Sequence, residues 1–598
     1  MIVLALALAA SAQSNVPNVP NVVNVVLVTI DTLRADHVGA YGAPSGSTPA
    51  MDALASEGLR FESAVSPVPL TRPAHASLLT GRYPAEHGIR DNLPAKLDPS
   101  IPTLATRLKE KGYQTAAFVG SFLLGRGSGL DAGFDVFGDG SVSGTGDLIG
   151  STAERRAEEV ASEAIEYLSA ARPPFFLWVH FYDPHAPYDP PGAFSGKGYA
   201  GEIAYADSQV GRVVEALRSR GLLDSTLVVA TADHGEGLGD HGEDEHGVLV
   251  YEETLRVPLI LRGPGIAAGG VEREPVSLAD VAPFLLEGGK GSLPASRPLY
   301  FESYYGNLHF GWAPLRGIRE GPMKLIFAPR AELYDLDSDP GETRDVSRER
   351  KDIARRLYAE LERMGDETPP AAAALDPGDL ERLASLGYVG SAPAKGTGAD
   401  PKDEIANYSD FGRKLRDAIS HFDRGDYRSA RALFEELASR DILSFEVHLY
   451  LARCHRLEGN VAEAIREYEA AAVIYDGYSV LHLEHGRALL ASGEPRSAAA
   501  AFEKSLALAS SAAAEVGLAT AARTLGDAPR AVEALRRALA LDAEDADSWN
   551  ELGALLIQME EVEPAIEAFE RAVALRPGDE MYRRNLEFAR GIRAPREK

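Results

Sequence analysis

The sequence predicts an α/β layered-sheet domain followed by an all-α solenoid of helical repeats, and three observations carry that prediction. Short apolar, β-branched runs alternate with segments of helical periodicity through the first part of the chain. Near residues 366–402 the composition shifts to Pro, Ala and Gly, which marks a domain boundary. Beyond it, a pattern of small and aromatic residues recurs with a period of about 34.

Composition narrows the function. The chain has 598 residues, room for several domains. Lys plus Arg number 61 against 89 Asp plus Glu, and the net charge of −28 repels polyanions and argues against nucleic acid as a partner. Hydrophobic residues at 45% and charged residues at 25% are those of globular domains, which excludes wholesale disorder. Cys454 is the single cysteine, so intramolecular disulfides and four-cysteine zinc sites are excluded. Any metal must sit on oxygen and nitrogen ligands.

Residues 1–10 are apolar but far short of the roughly 20 needed to cross a bilayer, so no transmembrane span is expected. The small-x-small end Ala10-Ser11-Ala12 predicts a secretory signal over 1–12 and export to a periplasmic or extracellular compartment. The basic n-region of such a signal is missing, and a short buried helix fits the same run. Residues 15–24, rich in Asn, Val and Pro, read as a linker. The runs 22–30, 115–119, 175–182, 227–231 and 257–261 read as buried strands, and 153–170 and 206–218 as helices between them. The α/β domain is expected over 22–365, and the linker 366–402 is interrupted by a short helical piece at 380–386.

In the C-terminal part, Gly425, Gly459, Gly493 and Gly526 lie 34, 34 and 33 residues apart, and Glu560 stands 34 further on. Five residues after each comes Ala430, Ala464, Ala498, Ala531 or Ala565; nine after comes Phe434, Tyr468, Phe502, Leu535 or Phe569. Seven before stand Ala418, Ala452, Gly486, Ala519 and Gly553, small enough for two helices to pack closely. The pattern resembles the tetratricopeptide repeat, with about five units over 411–580. Such repeats imply a protein or peptide partner, so chemistry belongs upstream.

Three predicted strands end in an acidic residue: Ile30 before Asp31, Tyr182 before Asp183, and Ala232 before Asp233 and His234. Ligands gather outside the carboxyl ends of strands in open α/β sheets, so these groups can converge. Carboxylate with imidazole suits zinc, manganese or, where carboxylates dominate, calcium. Taken one at a time, each Asp also fits a helix cap.

Ile30-Asp31-Thr32-Leu33-Arg34-Ala35-Asp36-His37, Leu79-Thr80-Gly81-Arg82-Tyr83-Pro84, Asp233-His234-Gly235-Glu236, Tyr251-Glu252-Glu253 and Leu333-Tyr334-Asp335-Leu336 with Asp339-Pro340 resemble, in order and spacing, the sulfatase-like members of the alkaline phosphatase superfamily. The resemblance implies that superfamily's fold and a metal-dependent hydrolase of phosphate or sulfate esters. In its sulfatases a Cys or Ser that becomes formylglycine opens a motif of that residue, any, Pro, any, Arg. Here the aligned stretch is Thr71-Arg72-Pro73-Ala74-His75, and threonine cannot yield that aldehyde. The superfamily's phosphodiesterases use an unmodified threonine, which makes Thr71 the expected nucleophile; as a plain residue it also fits a helix N-cap.

Asn92 resembles the asparagine that polarises a phosphoryl oxygen, and fits an ordinary loop residue equally. Where sulfatases carry a lysine after Gly-x-His-Gly, this chain has His246, and Thr32 replaces a second aspartate that helps hold calcium. The resemblance therefore implies one or two divalent ions, zinc or manganese ahead of calcium. One would be held by Asp31, Thr71, Asp233 and His234, the other by Asp183, His185 and His246. His185 touching substrate, or Asp189 or His241 as a replacement ligand, fits as well.

Arg34, Asp36 and His37 are expected to orient Asp31, and Glu236, Asp240, Glu243, Asp244 and Glu245 to form a solvated face. Tyr304, Tyr305 and Trp312 fit a pocket wall or packing against the sheet. The leading expectation is phosphate mono- or diester hydrolysis through Thr71. Sulfate-ester hydrolysis on the same site is the alternative, and a non-catalytic repeat scaffold the second.

Overall fold

The computed structural model describes residues 23–44, 46–92, 95–140, 154–289, 293, 297–364, 397–440, 442 and 444–593. The expected signal 1–12, most of the first linker and the seam 366–396 with its helical piece lie outside the described residues. The chain divides into two compact units, the first Met1–Asn307, Trp312–Ala371 and Gly398–Ala406, the second Leu308–Gly311, Ala372–Thr397 and Asn407–Lys598.

A nine-stranded sheet forms the core of the first unit. Its strands are β1 Asn24–Ile30, β2 Leu59–Val65, β3 Gln114–Val119, β4 Val136–Gly138, β5 Phe175–Phe181, β6 Thr226–Ala232, β7 Arg256–Arg262, β8 Gly270–Glu272 and β9 Val276–Ser277. They lie in the order β4-β3-β5-β1-β6-β7-β2-β8, with β9 beside β2. Every residue of β1, NVVLVTI, is buried. The strand runs parallel between β5 and β6 and is covered on both faces, which explains an unbroken apolar run instead of an alternating one. All five apolar runs read from the sequence are strands here. β7 is antiparallel to both β6 and β2, so the sheet is mixed. β2, β4, β8 and β9 were not expected: β2 mixes Arg and Glu into its run, and the others have two or three residues.

The parallel register pairs Ile30 with Phe181 on one side and with Ala232 on the other. The three strands therefore end level, and the residues that follow them meet at one edge. Above that edge runs helix α1, Thr71–Thr80, buried along its whole length and ended by Gly81 at φ 74°. Helix α2 spans Ala157–Ala170 and begins where Arg156 adopts extended backbone. Helix α3, Gly198–Ser219, starts eight residues before the expected helix, because Tyr199, Glu202, Ile203 and Tyr205 continue its buried face. A second sheet, antiparallel, follows in sequence: β10 Leu299–Ser303, β11 Leu315–Glu320, β12 Met323–Phe327 and β13 Glu332–Asp335. Leu357 and Leu361 of the helix Lys351–Met364 pack on it with Tyr300, Ile318, Leu325 and Leu333. Tyr304, Tyr305 and Trp312 are buried.

The second unit is a run of antiparallel helix pairs, such as Ser479–Ala491 with Pro495–Leu508 and Ala546–Gln558 with Val562–Leu575. Gly425, Gly459, Gly493 and Gly526 stand at φ between 79° and 84°, the left-handed conformation that ends a helix, and Glu560 takes the same role at φ 63°. The small residues do bring the helices together: a Cβ on Gly486 would lie 2.8 Å from the Phe502 ring, and one on Gly553 would lie 2.8 Å from that of Phe569. Among the described residues no helix is long and apolar enough to cross a membrane.

Candidate active site

Asp31 leaves the end of β1, and Asp233 with His234 leaves the end of β6 beside it. All three are fully buried, and one ligand atom from each lies within 4.8 Å of the other two. His234 Nε2 is 3.7 Å from Asp31 Oδ1 and 3.6 Å from Asp233 Oδ2. The other ring nitrogen, Nδ1, is 2.9 Å from the Gly235 carbonyl, which can only accept, so Nδ1 carries the proton and Nε2 turns toward the carboxylates. Asp233 Oδ1 accepts the backbone N–H groups of His234 at 2.9 Å and Thr32 at 3.3 Å. Thr32 is held at φ 53°, a strained position for a β-branched residue.

Asp31 Oδ1 and Oδ2 and Asp233 Oδ2 are buried with no hydrogen-bond partner. Burial raises both carboxyl pKa values; His185 and His234 lower that of Asp31, and the charge of Asp31 raises that of Asp233 further. Burial also works against a charged His234, but Asp233 and Asp31 outweigh it and hold that imidazole above its ordinary pKa. Two adjacent carboxylates with orphaned oxygens and an imidazole lone pair suit a divalent cation. These residues fit the metal that the sequence implied.

Thr71 is the first residue of α1; Leu70 occupies the cap position, which corrects the capping alternative. Thr71 Oγ1 stands 3.4 Å from His234 Nε2. Asn92 Oδ1 accepts the backbone N–H of Arg72 at 3.0 Å, so the asparagine is tied to the start of α1, and its buried Nδ2 has no hydrogen-bond partner. His185 and His246 also reach the site: their ring centroids are 5.1 Å apart, and His246 is 4.4 Å from His234.

Asp183 does not join them. Its carboxylate accepts the Ala157 N–H at 2.8 Å and Arg156 NH1 at 3.0 Å, which fixes it at the start of α2. The expected second set of Asp183, His185 and His246 therefore loses its carboxylate. His241 stacks on Tyr251 at 3.8 Å and pairs with Glu253 at 2.7 Å, and Asp189 is exposed, so neither replaces it. The solvated-face reading also fails for Glu236 and Glu243, both buried. Glu236 Oε1 is 3.0 Å from His246 Nδ1, and its Oε2 accepts the Tyr188 hydroxyl at 3.0 Å. Arg34 binds Asp36, Asp240 and the Glu236 carbonyl, and so ties this loop down instead of orienting Asp31.

The sulfatase family model matches residues 23–289, and the tetratricopeptide repeat model matches 415–479 and 516–580. Arylsulfatase A of Bos taurus is 30% identical over 422 residues, which cover 57% of this chain and 80% of that protein. The chain belongs to the sulfatase family. Choline-sulfatase of Rhizobium meliloti is 27% identical over 400 residues, 50% of this chain and 77% of its own. Among solved structures, the phosphonate monoester hydrolase of Agrobacterium radiobacter aligns over 56% of this chain and 94% of its own, with 24% identity and a TM-score of 0.46. The protein is thus an ester hydrolase of the sulfatase family with tetratricopeptide repeats.

Three residues of the sulfatase domain escaped the sequence reading. Glu236 sits inside a quoted motif, but its acidic neighbours made it look like surface. His75 takes the position of the motif arginine and reaches to 3.5 Å from Asp233 Oδ2. His180 sits within the apolar run of β5 and lies 3.6 Å from Asp31 Oδ2. Burial keeps both rings neutral, pushing His75 down to about 3 and His180 to about 4. A lone histidine in a buried strand gave no sequence signal beyond its type.

Proposed function

We propose that this sulfatase-family hydrolase cleaves a phosphate mono- or diester with the unmodified Thr71 hydroxyl as nucleophile. The observation that carries the reading is Thr71 Oγ1, 3.4 Å from His234 Nε2, the nitrogen that itself lies 3.7 Å from Asp31 Oδ1 and 3.6 Å from Asp233 Oδ2. Asp31, Asp233 and His234 would hold a divalent ion, which lowers the pKa of a nearby hydroxyl and offsets charge on an anionic ester. Attack by the Thr71 oxygen forms a Thr71–O–P bond as the P–O bond to the leaving alcohol breaks and the hydroxyl proton passes to that alcohol; water then cleaves the Thr71–O–P bond, restoring the hydroxyl and releasing phosphate from a monoester or a phosphate monoester from a diester. Asn92 Nδ2 donates to a non-bridging oxygen of the ester, where negative charge must be stabilised. His246, oriented by Glu236, faces the same space.

Sulfate-ester hydrolysis on this site is the second reading, favoured by relatives named choline-sulfatase and arylsulfatase A. Turnover of matched nitrophenyl phosphate monoester, phosphate diester and sulfate ester, with zinc, manganese or calcium, separates the two. Metal-dependent phosphoester turnover that disappears in Thr71→Ala is the expected result. Preferred sulfate turnover, or activity untouched by the substitution, would overturn it. The repeats would bring a protein or peptide partner to the enzyme. Export completes the proposal, and a mature chain beginning at Gln13 in a periplasmic or secreted fraction would support it.

A further inference from the structure

Beneath Asp31 and Asp233 lies a hub that the proposed reaction leaves unused. Thr29 Oγ1 stands 3.0 Å from Trp178 Nε1, 3.0 Å from His180 Nδ1 and 3.1 Å from His75 Nε2. All four side chains are fully buried. The indole N–H can only donate, and a hydroxyl offers one proton and two lone pairs. One imidazole must therefore receive the Thr29 proton while the other donates to Thr29.

His75 decides which. Its Nδ1 is 2.8 Å from the Thr71 carbonyl, which accepts only, so the proton of the neutral ring is on Nδ1 and Nε2 takes the hydrogen of Thr29. His180 must then donate from Nδ1 to the remaining lone pair of Thr29, and its Nε2 carries no proton. That nitrogen faces Asp31 Oδ2 across 3.6 Å, and both atoms are buried without a hydrogen-bond partner. Two lone pairs across such a gap repel, and a cation between them removes the repulsion. The span also suits one: ligand atoms each ~2.1 Å from a common ion lie roughly 3.4–3.7 Å apart at near-tetrahedral to trigonal angles.

We propose that His180 is a further ligand, through Nε2, of the ion assigned to Asp31, Asp233 and His234. The inference rests on those three residues holding an ion, as proposed above. A second imidazole beside two carboxylates selects a zinc- or manganese-like ion over calcium, which takes oxygen ligands. A histidine that merely oriented Asp31 would instead carry a proton on Nε2, and this would require a second proton on either His75 or His180, which the full burial of both rings opposes.

Crystals of the full chain grown with manganese or zinc, read by anomalous difference maps, test the assignment without a variant. An ion within ~2.3 Å of His180 Nε2 and also bound by Asp31, Asp233 and His234 is the expected result. An ion on those three residues but beyond ~3 Å from His180 would overturn the inference and leave the proposed site standing. No ion at these residues would overturn both. In solution, pulsed EPR of the manganese-loaded protein should show one coordinated imidazole fewer in His180→Gln than in the parent, with metal affinity at least ~10-fold weaker. An unchanged imidazole count would count against His180 as a ligand.

Discussion

His246 Nδ1 lies 3.0 Å from Glu236 Oε1, and both side chains are buried at the edge where β1 and β6 end. Burial, and then the nearby His234, hold the His246 imidazole well below its usual pKa, so the ring is neutral and its tautomer follows from the proton it shares with Glu236. Nδ1–H donates to the carboxylate, which fixes the orientation of the ring.

Glu236→Ala should therefore lower kcat/KM by roughly 10- to 100-fold, the usual cost of removing the group that orients an active-site imidazole. Glu236→Gln, whose amide oxygen still accepts from Nδ1–H, should retain most of the activity. Steady-state kinetics of the pair check this; equal losses in both variants would show that the negative charge matters and not the acceptor.

Asp183 is expected to matter for stability and not for metal content. Its carboxylate caps α2 through the Ala157 N–H and pairs with Arg156, a side chain that is itself half exposed. Asp183→Asn should lower the melting temperature of the first unit by an amount corresponding to about 1–2 kcal/mol. Bound metal, counted by elemental analysis, should stay at the parental value; loss of one equivalent would restore Asp183 as a ligand.

Asp31, Asp233 and His234 were legible because each follows an apolar strand, and parallel strands deliver their following residues to one edge. The same logic misplaced Asp183: a strand end fixes where a carboxylate starts, but the helix that begins at Ala157 decided what it binds. Hydrophobic runs revealed the five main strands, and a 34-residue period revealed the repeats. β10 to β13 carry charged residues such as Arg316, Arg319 and Lys324, whose burial depends on partners far away in sequence, including Glu252 and Glu342. His75 and His180 could not be found from spacing, because their roles arise only where α1 and β5 meet over Thr29.

In the proposed reaction Asn92 has two separable tasks. Its Oδ1 anchors the Arg72 N–H, while its Nδ2 is the donor without a partner. Asn92→Asp preserves the anchor and removes the donor, so kcat should fall about 100- to 1,000-fold with little change in KM, the signature of a contact made in the transition state. Thermal unfolding should show the fold intact. A drop confined to KM would place Asn92 in ground-state binding.

His87 sets an acid limit on stability. Its Nδ1 accepts the Ile89 N–H at 3.1 Å and its Nε2 is 3.0 Å from Ser77 Oγ, so a second proton would break the first of these bonds. Burial, reinforced by Arg90 and Arg82, pushes its pKa from 6.5 down to about 3. Between those values the unfolded chain binds a proton that the folded one refuses. The stabilisation is complete above pH 6.5 and declines as pH falls toward 3, with a slope of at most ~1.4 kcal/mol per pH unit. Denaturant unfolding of parent and His87→Gln from pH 7 to 4 isolates this contribution, because the other buried histidines and carboxylates are common to both. The variant should be less stable at pH 7 and lose stability less steeply on acidification; parallel curves would mean that His87 is protonated in the fold.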